Sequence, residues 1–497
     1  MKRIFPKSFY NLPTLVGAAI AGVSFGLILF LILLESFAEQ PKPYMGIIAF
    51  VILPAIVLVG LTLAFFGILR EHRRMRLGKG HEIQIPRLDF DNPRHRRIFI
   101  ASVAGGLVFL GLSAFGSFKA YEYTDGDQFC GEVCHTVMNP EYTAYQYSPH
   151  ARVGCVKCHI GPGAGWFVRS KISGTYQVYA VLFHKYPKPI PTPIQNLRPA
   201  QETCEQCHWP KHFFSEKRHT NTYFLSDSNN TRWSIDLLMK IGGGNIEAGP
   251  TSGIHWHMNI NNELTYAALD TARQEIPWVR SRKPDGTVSV YRSTEYTITD
   301  DSLKKLFMRR MDCIDCHNRP THIYYPPAQL VNAGMSLGWI NPALPEVKSI
   351  AVKALENHYT TTEVALDSIR TVVEEYYRQH YPLIARGQKG RIDSAVAQLQ
   401  KIYGRNYFPE MNVSWKNFTN NIGHLYYKGC FRCHDGKHVN EKGEVLSREC
   451  NTCHTILAQK FEVGGQRLSL AGVEYRHPVD IGDAWKEMNC SDCHNAQ

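Results

Sequence analysis

The chain has 497 residues, 44% of them hydrophobic, with 14 cysteines and a formal net charge of +11. Residues 1–118 hold 13 basic and 6 acidic side chains, so +7 of that charge sits at one end and +4 is left for the rest of the chain. The basic excess is concentrated at the N-terminal end, where it bears on membrane orientation.

Three stretches near the N-terminus, Thr14 to Leu34, Met45 to Leu69 and Ile98 to Phe118, contain no Lys, Arg, Asp or Glu. At a rise of ~1.5 Å per residue each is long enough to cross a hydrocarbon core of ~30 Å. A cleaved signal peptide is the alternative for the first, but its apolar run is too long and no small-residue cleavage site follows. Lys2, Arg3 and Lys7 precede the first span, and the loop between the second and third carries nine basic residues against four acidic ones. Basic residues collect on the cytoplasmic side, so the N-terminus is expected inside and everything after Phe118 outside.

Beyond the spans the cysteines set the plan. Cys130/Cys134/His135, Cys155/Cys158/His159, Cys204/Cys207/His208, Cys313/Cys316/His317, Cys430/Cys433/His434, Cys450/Cys453/His454 and Cys490/Cys493/His494 use all 14. Disulfides or zinc sites could also explain paired cysteines, but neither explains a histidine after the second cysteine seven times. A c-type haem does: two thioethers fix the porphyrin edge and the adjacent imidazole reaches the iron. The first motif is irregular, with three residues between its cysteines. Seven haems on the chain beyond the spans make porphyrin a large part of the core, so the apo form is expected not to fold. Their propionates would leave the haem domain acidic, so a basic periplasmic multihaem cytochrome is the expected acceptor, and nucleic acid is not.

Between the third and fourth motifs, strand-like runs flank a turn signal at Pro284-Asp285-Gly286, which predicts a β-rich insertion over about 220–300. Glu346 to Asn357, Thr362 to Tyr381 and Arg391 to Tyr403 show apolar residues three and four apart and are expected to be helices. Pro326-Pro327 and Asn341-Pro342 are expected to break regular structure, and Gly387 to Gly390 to form a loop.

Each iron needs a sixth ligand if it only carries electrons and an open position if it does chemistry. His72, His81 and His95 lie in the cytoplasmic loop and cannot serve. The candidates are His150, His322, His424, His438 and His477, each near a motif, and the pair His255 and His257. Met138, three residues past His135, is the candidate at the first iron. His184, His212, His219, His358 and His380 remain as spares.

Ser148-Pro149-His150-Ala151-Arg152-Val153 before the second motif, the nearby Met138, and Cys313-Ile314-Asp315-Cys316-His317-Asn318-Arg319-Pro320-Thr321-His322 resemble the NapC/NirT/NrfH family of membrane-anchored, quinol-oxidising cytochromes. The longer plan, three spans and seven haems, resembles the inner-membrane seven-haem cytochromes of metal-reducing bacteria. The resemblance implies His322 as distal ligand of the second haem, and a quinol pocket beside the first haem with a lysine shortly after the second motif. Lys171 fits that place. The acidic partner seven positions on is not matched, since Val178 stands there, so Glu141 and Gln177 are substitutes.

The expected fold is mainly α and haem-packed, a multihaem cytochrome c with three N-terminal transmembrane helices and a small β-rich insertion. The expected domains are a membrane anchor with a basic cytoplasmic loop (1–118), a tetrahaem domain resembling NapC and NrfH (119–325), and a helical segment with a C-terminal trihaem domain (326–497). The expected function is a bacterial inner-membrane cytochrome that takes electrons from menaquinol or another quinol and passes them to periplasmic cytochromes. Two alternatives stand: a catalytic multihaem reductase of nitrite, hydroxylamine or a sulfur oxyanion, and an electron-relay docking subunit of a larger complex.

Overall fold

The computed structural model describes residues 6–36, 52–78, 90–133, 135–161, 163–194, 197–209, 215–242, 253–258, 262–462 and 464–494. The longer helices, in chain order, are α1 (Leu12–Ser36), α2 (Leu53–Arg76), α3 (Pro93–Thr124), α4 (His135–Gln146), α5 (Ala164–Leu182), α6 (Pro327–Ser336), α7 (Val347–Glu356), α8 (Thr362–His380) and α9 (Lys389–Asn406). The strands are β1 (Lys217–Phe224), β2 (Arg232–Met239), β3 (Glu263–Ala267), β4 (Trp278–Arg282), β5 (Val288–Ser293), β6 (Met308–Arg310), β7 (His438–Asn440), β8 (His454–Phe461) and β9 (Gly465–Leu468). Two compact units divide the chain, residues 1–126 with 159–178 and residues 127–158 with 179–497.

In the first unit three helices are long and apolar enough to cross a membrane: Leu12–Leu31, Leu53–Arg76 and Pro93–Ser113. The first and third expected spans lie inside α1 and α3. Of the second, residues 45–51 fall outside the described residues, Ile52 precedes α2 and residues 53–69 lie in it. Lipid supplies no hydrophobic force between helices, so close backbone approach decides how they associate. α1 and α2 meet through small residues. A methyl group at Gly17 would stand 2.5 Å from the Gly60 carbonyl oxygen, and one at Gly60 would stand 2.7 Å from the Ala21 nitrogen. Asn11 caps α1 by accepting from the Thr14 amide at 3.0 Å, and the Thr14 hydroxyl reaches the Ala64 carbonyl of α2 at 3.4 Å.

The second unit holds two antiparallel sheets. One has the order β1-β2-β8-β9 and the other β6-β3-β4-β5-β7. The turn at Pro284-Asp285-Gly286 joins β4 to β5 as its residues predict: Gly286 takes φ +82 and the Asp285 carboxylate accepts from the Thr287 amide at 2.8 Å. Both sheets recruit strands from the last third of the chain. β2 pairs with β8, Trp233 opposite Phe461, and β5 pairs with β7, Arg292 opposite Val439. The boundary expected near residue 326 is therefore crossed by two sheets.

Helices α6 to α9 form a layer with its own apolar core. α8 buries Ala365, Ile369, Val373 and Tyr377, spaced four apart on one face, and α9 answers with Ile392, Val396, Leu399 and Tyr403. Thr361 caps α8 by accepting from the Val364 amide at 3.2 Å. The core of this layer is made of protein side chains. α6 differs from the expectation. Pro327 starts it instead of breaking it, because a helix's first residues have no intrahelical acceptor for their N–H groups and lose nothing to proline. The loop expected over Gly387 to Gly390 shrinks to Gln388, which separates a short helix, Pro382–Gly387, from α9.

Candidate haem centres

Every described attachment motif is wound as a single helical turn. Cys155–His159, Cys313–Cys316 and Cys490–His494 are α-turns, and Cys204–Gln206, Gly429–Arg432 and Cys450–Thr452 are 3-10 turns. The amides of His208, His317 and His434 donate to the first cysteine's carbonyl at 2.8, 2.8 and 3.0 Å, so one turn presents two thiols and then an imidazole. The irregular first motif sits on a wider turn. Phe129–Val133 is π-helical, and the extra residue of a π-turn matches the extra residue between Cys130 and Cys134. Cys134 itself lies outside the described residues.

Thiols of neighbouring motifs influence one another electrostatically: Cys130 raises Cys155, Cys204 raises Cys313, and Cys430 raises Cys316. Motif four has the most built support. Asp312 and Asp315 form a capping box around Cys313–Cys316. The buried Asp315 carboxylate also accepts from the Tyr266 hydroxyl at 2.6 Å, Arg309 Nε at 2.6 Å and Arg273 Nη1 at 3.0 Å. Nothing in the spacing of the sequence singles out Asp315 or Arg309.

Each of five motif histidines stands opposite one non-motif histidine. The ring centroids are 6.0 Å apart for His150 and His208, 6.4 Å for His255 and His317, 5.8 Å for His257 and His434, 6.2 Å for His424 and His454, and 6.1 Å for His477 and His494. Two imidazoles that each bring a nitrogen to about 2 Å from one metal hold their centroids roughly 6 Å apart, so these rings fit a shared iron between them.

The orientation of the rings agrees. Nδ1 of His150 donates to Pro320 O at 3.3 Å, of His255 to Ile241 O at 2.8 Å and of His257 to Ile254 O at 2.7 Å; Nδ1 of His477 lies 2.7 Å from Val479 O and 3.3 Å from the Val479 amide. A carbonyl on Nδ1 fixes the tautomer in which Nε2 is the lone-pair nitrogen, the one a metal needs. Metal ligands must also be neutral. Burial lowers His255, His257, His317, His434, His454 and His494, and drives His424 down to about 4.

The remaining candidates separate. His322 shares the pattern, its Nδ1 donating to the Glu141 carbonyl at 2.9 Å, and burial lowers it too. His438 does not. It is 1% exposed, with Nδ1 2.9 Å from Asp435 Oδ1 and Nε2 2.7 Å from Ile276 O, so neither nitrogen is left for an iron. Both members of the His255/His257 pair, by contrast, face a motif histidine. Among the spares, His380 packs on Tyr376 at 4.6 Å, and His212 lies outside the described residues. Met138 is half-buried on α4. Glu141 is committed within the second unit: its Oε2 accepts from the Tyr324 hydroxyl at 2.7 Å and pairs with Arg319 Nη2 at 3.4 Å. Lys171 and Gln177 both lie exposed on α5, roughly two-thirds of a turn apart, so they do not share a face. Lys171 Nζ lies 4.9 Å over the Phe167 ring and Arg169 5.1 Å over Trp166. Val168, Ile172, Tyr176, Tyr179 and Leu182 form an exposed apolar stripe along the same helix.

The family model described as the NapC/NirT cytochrome c family, N-terminal region, matches residues 93–190. The chain is 43% identical over 490 residues to the cytochrome c-type protein ImcH of Geobacter sulfurreducens, covering 98% of this chain and 95% of that protein. It is also 32% identical over 93 residues to the cytochrome c-type protein NrfH of Wolinella succinogenes, 18% of this chain and 52% of that protein. No solved structure matches the chain. With its apolar N-terminal helices and its seven attachment motifs, the chain belongs to the NapC/NirT family of membrane c-type cytochromes, which carry covalently bound haem.

Proposed function

We propose that the chain oxidises a quinol, menaquinol or a relative, at the outer face of a bacterial inner membrane and passes the electrons through seven c-type haems to a soluble periplasmic acceptor. The observation that carries this reading is the set of five histidine pairs, each one motif ring and one distal ring about a metal's width apart. An iron closed by two imidazoles has no position for nitrite, hydroxylamine or a sulfur oxyanion, so the pairs favour electron carriage over substrate reduction.

When bound, each haem supplies one reversible electron between ferrous and ferric iron. The chain's residues do the rest. Cys130, Cys134, Cys155, Cys158, Cys204, Cys207, Cys313, Cys316, Cys430, Cys433, Cys450, Cys453, Cys490 and Cys493 hold the porphyrins. His135, His159, His208, His317, His434, His454 and His494 are the proximal ligands. His150, His255, His257, His424 and His477 close the irons of motifs three, four, five, six and seven. His322 closes that of motif two, as the family resemblance implies, and Met138 that of motif one.

Quinol oxidation releases two electrons and two protons. Lys171 is the residue we assign to the quinol headgroup. It is cationic, exposed, and carried on a helix whose apolar stripe suits the membrane interface. Glu141 is not needed for that role. Its carboxylate neutralises Arg319, and its carbonyl fixes His322. The acceptor we assign is a basic multihaem cytochrome, drawn to the propionate charge of the haem domain. In proteoliposomes loaded with menaquinol, all haem absorbance in the protein should become reduced. A protein that dithionite reduces but menaquinol does not would remove the quinol reading.

A further inference from the structure

The two candidate ligands His255 and His257 lie on one 3-10 turn, Ile254–Met258, yet they face histidines of different motifs. His255 faces His317 of motif four and His257 faces His434 of motif five. Motif four is the last of the first four motifs in sequence, and motif five, beyond the whole helical layer in sequence, is the first of the C-terminal group. The two pairs differ in orientation. The rings of His255 and His317 are parallel, 1° between their planes, whereas those of His257 and His434 cross at 86°.

The turn is held from both sides. The Ile254 amide donates to Lys240 O at 2.8 Å, and the Lys240 amide donates to Cys453 O of motif six at 2.9 Å. Gly253 takes φ +105, and a methyl group there would stand 2.5 Å from Lys240 O. Only glycine fits this approach. Trp256 stands between the two ligands in sequence, its ring 5.9 Å from that of His257.

We propose that the turn Ile254–Met258 is the electronic junction between the two haem groups. It closes the irons of motifs four and five with ligands of opposite ring orientation and holds them in fixed register. With haem held at both sites, one electron would pass from the site at His317 to the site at His434, the first oxidised as the second is reduced, with no bond or proton moved. Parallel imidazole planes split the ferric d orbitals strongly and give a rhombic low-spin resonance. Crossed planes leave them nearly degenerate, which gives a highly anisotropic low-spin resonance.

This inference rests on the proposed haem ligation but not on quinol as the donor. The test is electron paramagnetic resonance of the oxidised full-length protein, with haem content measured alongside. Wild type should show both resonance classes. His257→Met should lose one highly anisotropic component and keep the rhombic ones, whereas His255→Met should lose a rhombic component. Gly253→Ala, which keeps both ligands, should shift components of both classes and slow reduction of the C-terminal haems by a poised electron donor at least severalfold. Loss of a rhombic component in His257→Met, a wild-type spectrum of one class, or an unaltered Gly253→Ala protein would overturn the proposal. A protein that shows these spectra but is not reduced by menaquinol would overturn the quinol reading and leave the junction standing.

Discussion

His438 Nε2 stands 2.7 Å from the carbonyl oxygen of Ile276, while its Nδ1 stands 2.9 Å from the Asp435 carboxylate. A histidine four residues past motif five looks like a ligand in sequence, but here it ties β7 to the residue leading into β4. His438→Gln should leave haem content and the low-spin spectrum unaltered and lower stability by about 1–3 kcal/mol, the cost of unsatisfied buried groups. Thermal unfolding with haem quantitation checks this, and loss of one haem ligand's signature would return His438 to the ligand set.

Glu141 and Lys171 should separate by phenotype. Arg319 is nearly buried against Glu141 and stacks on Phe418 at 4.3 Å, so Glu141→Gln leaves a guanidinium without its counter-charge. We expect a stability loss of about 3–5 kcal/mol with a perturbed spectrum at the His322 site and little change in quinol KM. Lys171→Ala should do the reverse: unaltered stability and haem spectra, with quinol-dependent reduction slowed about tenfold or more. Steady-state reduction assays in proteoliposomes and unfolding curves measure both.

Lys348 provides a pH test. Burial lowers it from 10.5 to about 8, with the Asp227 carboxylate opposing the shift. Its Nζ donates to the Phe224 carbonyl. Between those two values the unfolded chain binds more protons than the folded one, so stability rises with pH across that window. Lys348→Met should abolish this rise and be the more stable protein near neutral pH. Unfolding midpoints at pH 7 and pH 10 give the comparison, and equal slopes in both proteins would refute it.

Gly60 should tolerate no side chain. Gly60→Leu would push α2 off α1 where the Ala21 nitrogen lies 2.7 Å from the added carbon. We expect poor membrane accumulation with motif haems still attached in whatever protein survives, measured by haem staining of membrane fractions.

Much of this was legible in the sequence because it is local. Attachment motifs, apolar runs and the four-residue spacing of Ala365, Ile369, Val373 and Tyr377 are all written within short windows. What was not legible is non-local. His424 precedes Cys430 closely yet faces His454 of the next motif, and His257 faces a ring on the far side of the helical layer in sequence. The carbonyls that orient the distal rings carry no side-chain signal at all. β8 begins on a motif histidine, where attachment chemistry masks its strand pattern, and its partner β2 comes before the fourth motif. The proposed quinol site is the least legible part. Of its three candidates Glu141 is occupied elsewhere, and Lys171 and Gln177 point apart.

The central claim is that every iron is closed. Near-infrared magnetic circular dichroism of the oxidised protein, with haem counted by mass spectrometry, tests it most directly. The account predicts seven haems, all low-spin, with the charge-transfer signature of histidine pairs at six and of histidine with methionine at one. A high-spin haem, or fewer than seven porphyrins on the chain, would contradict it.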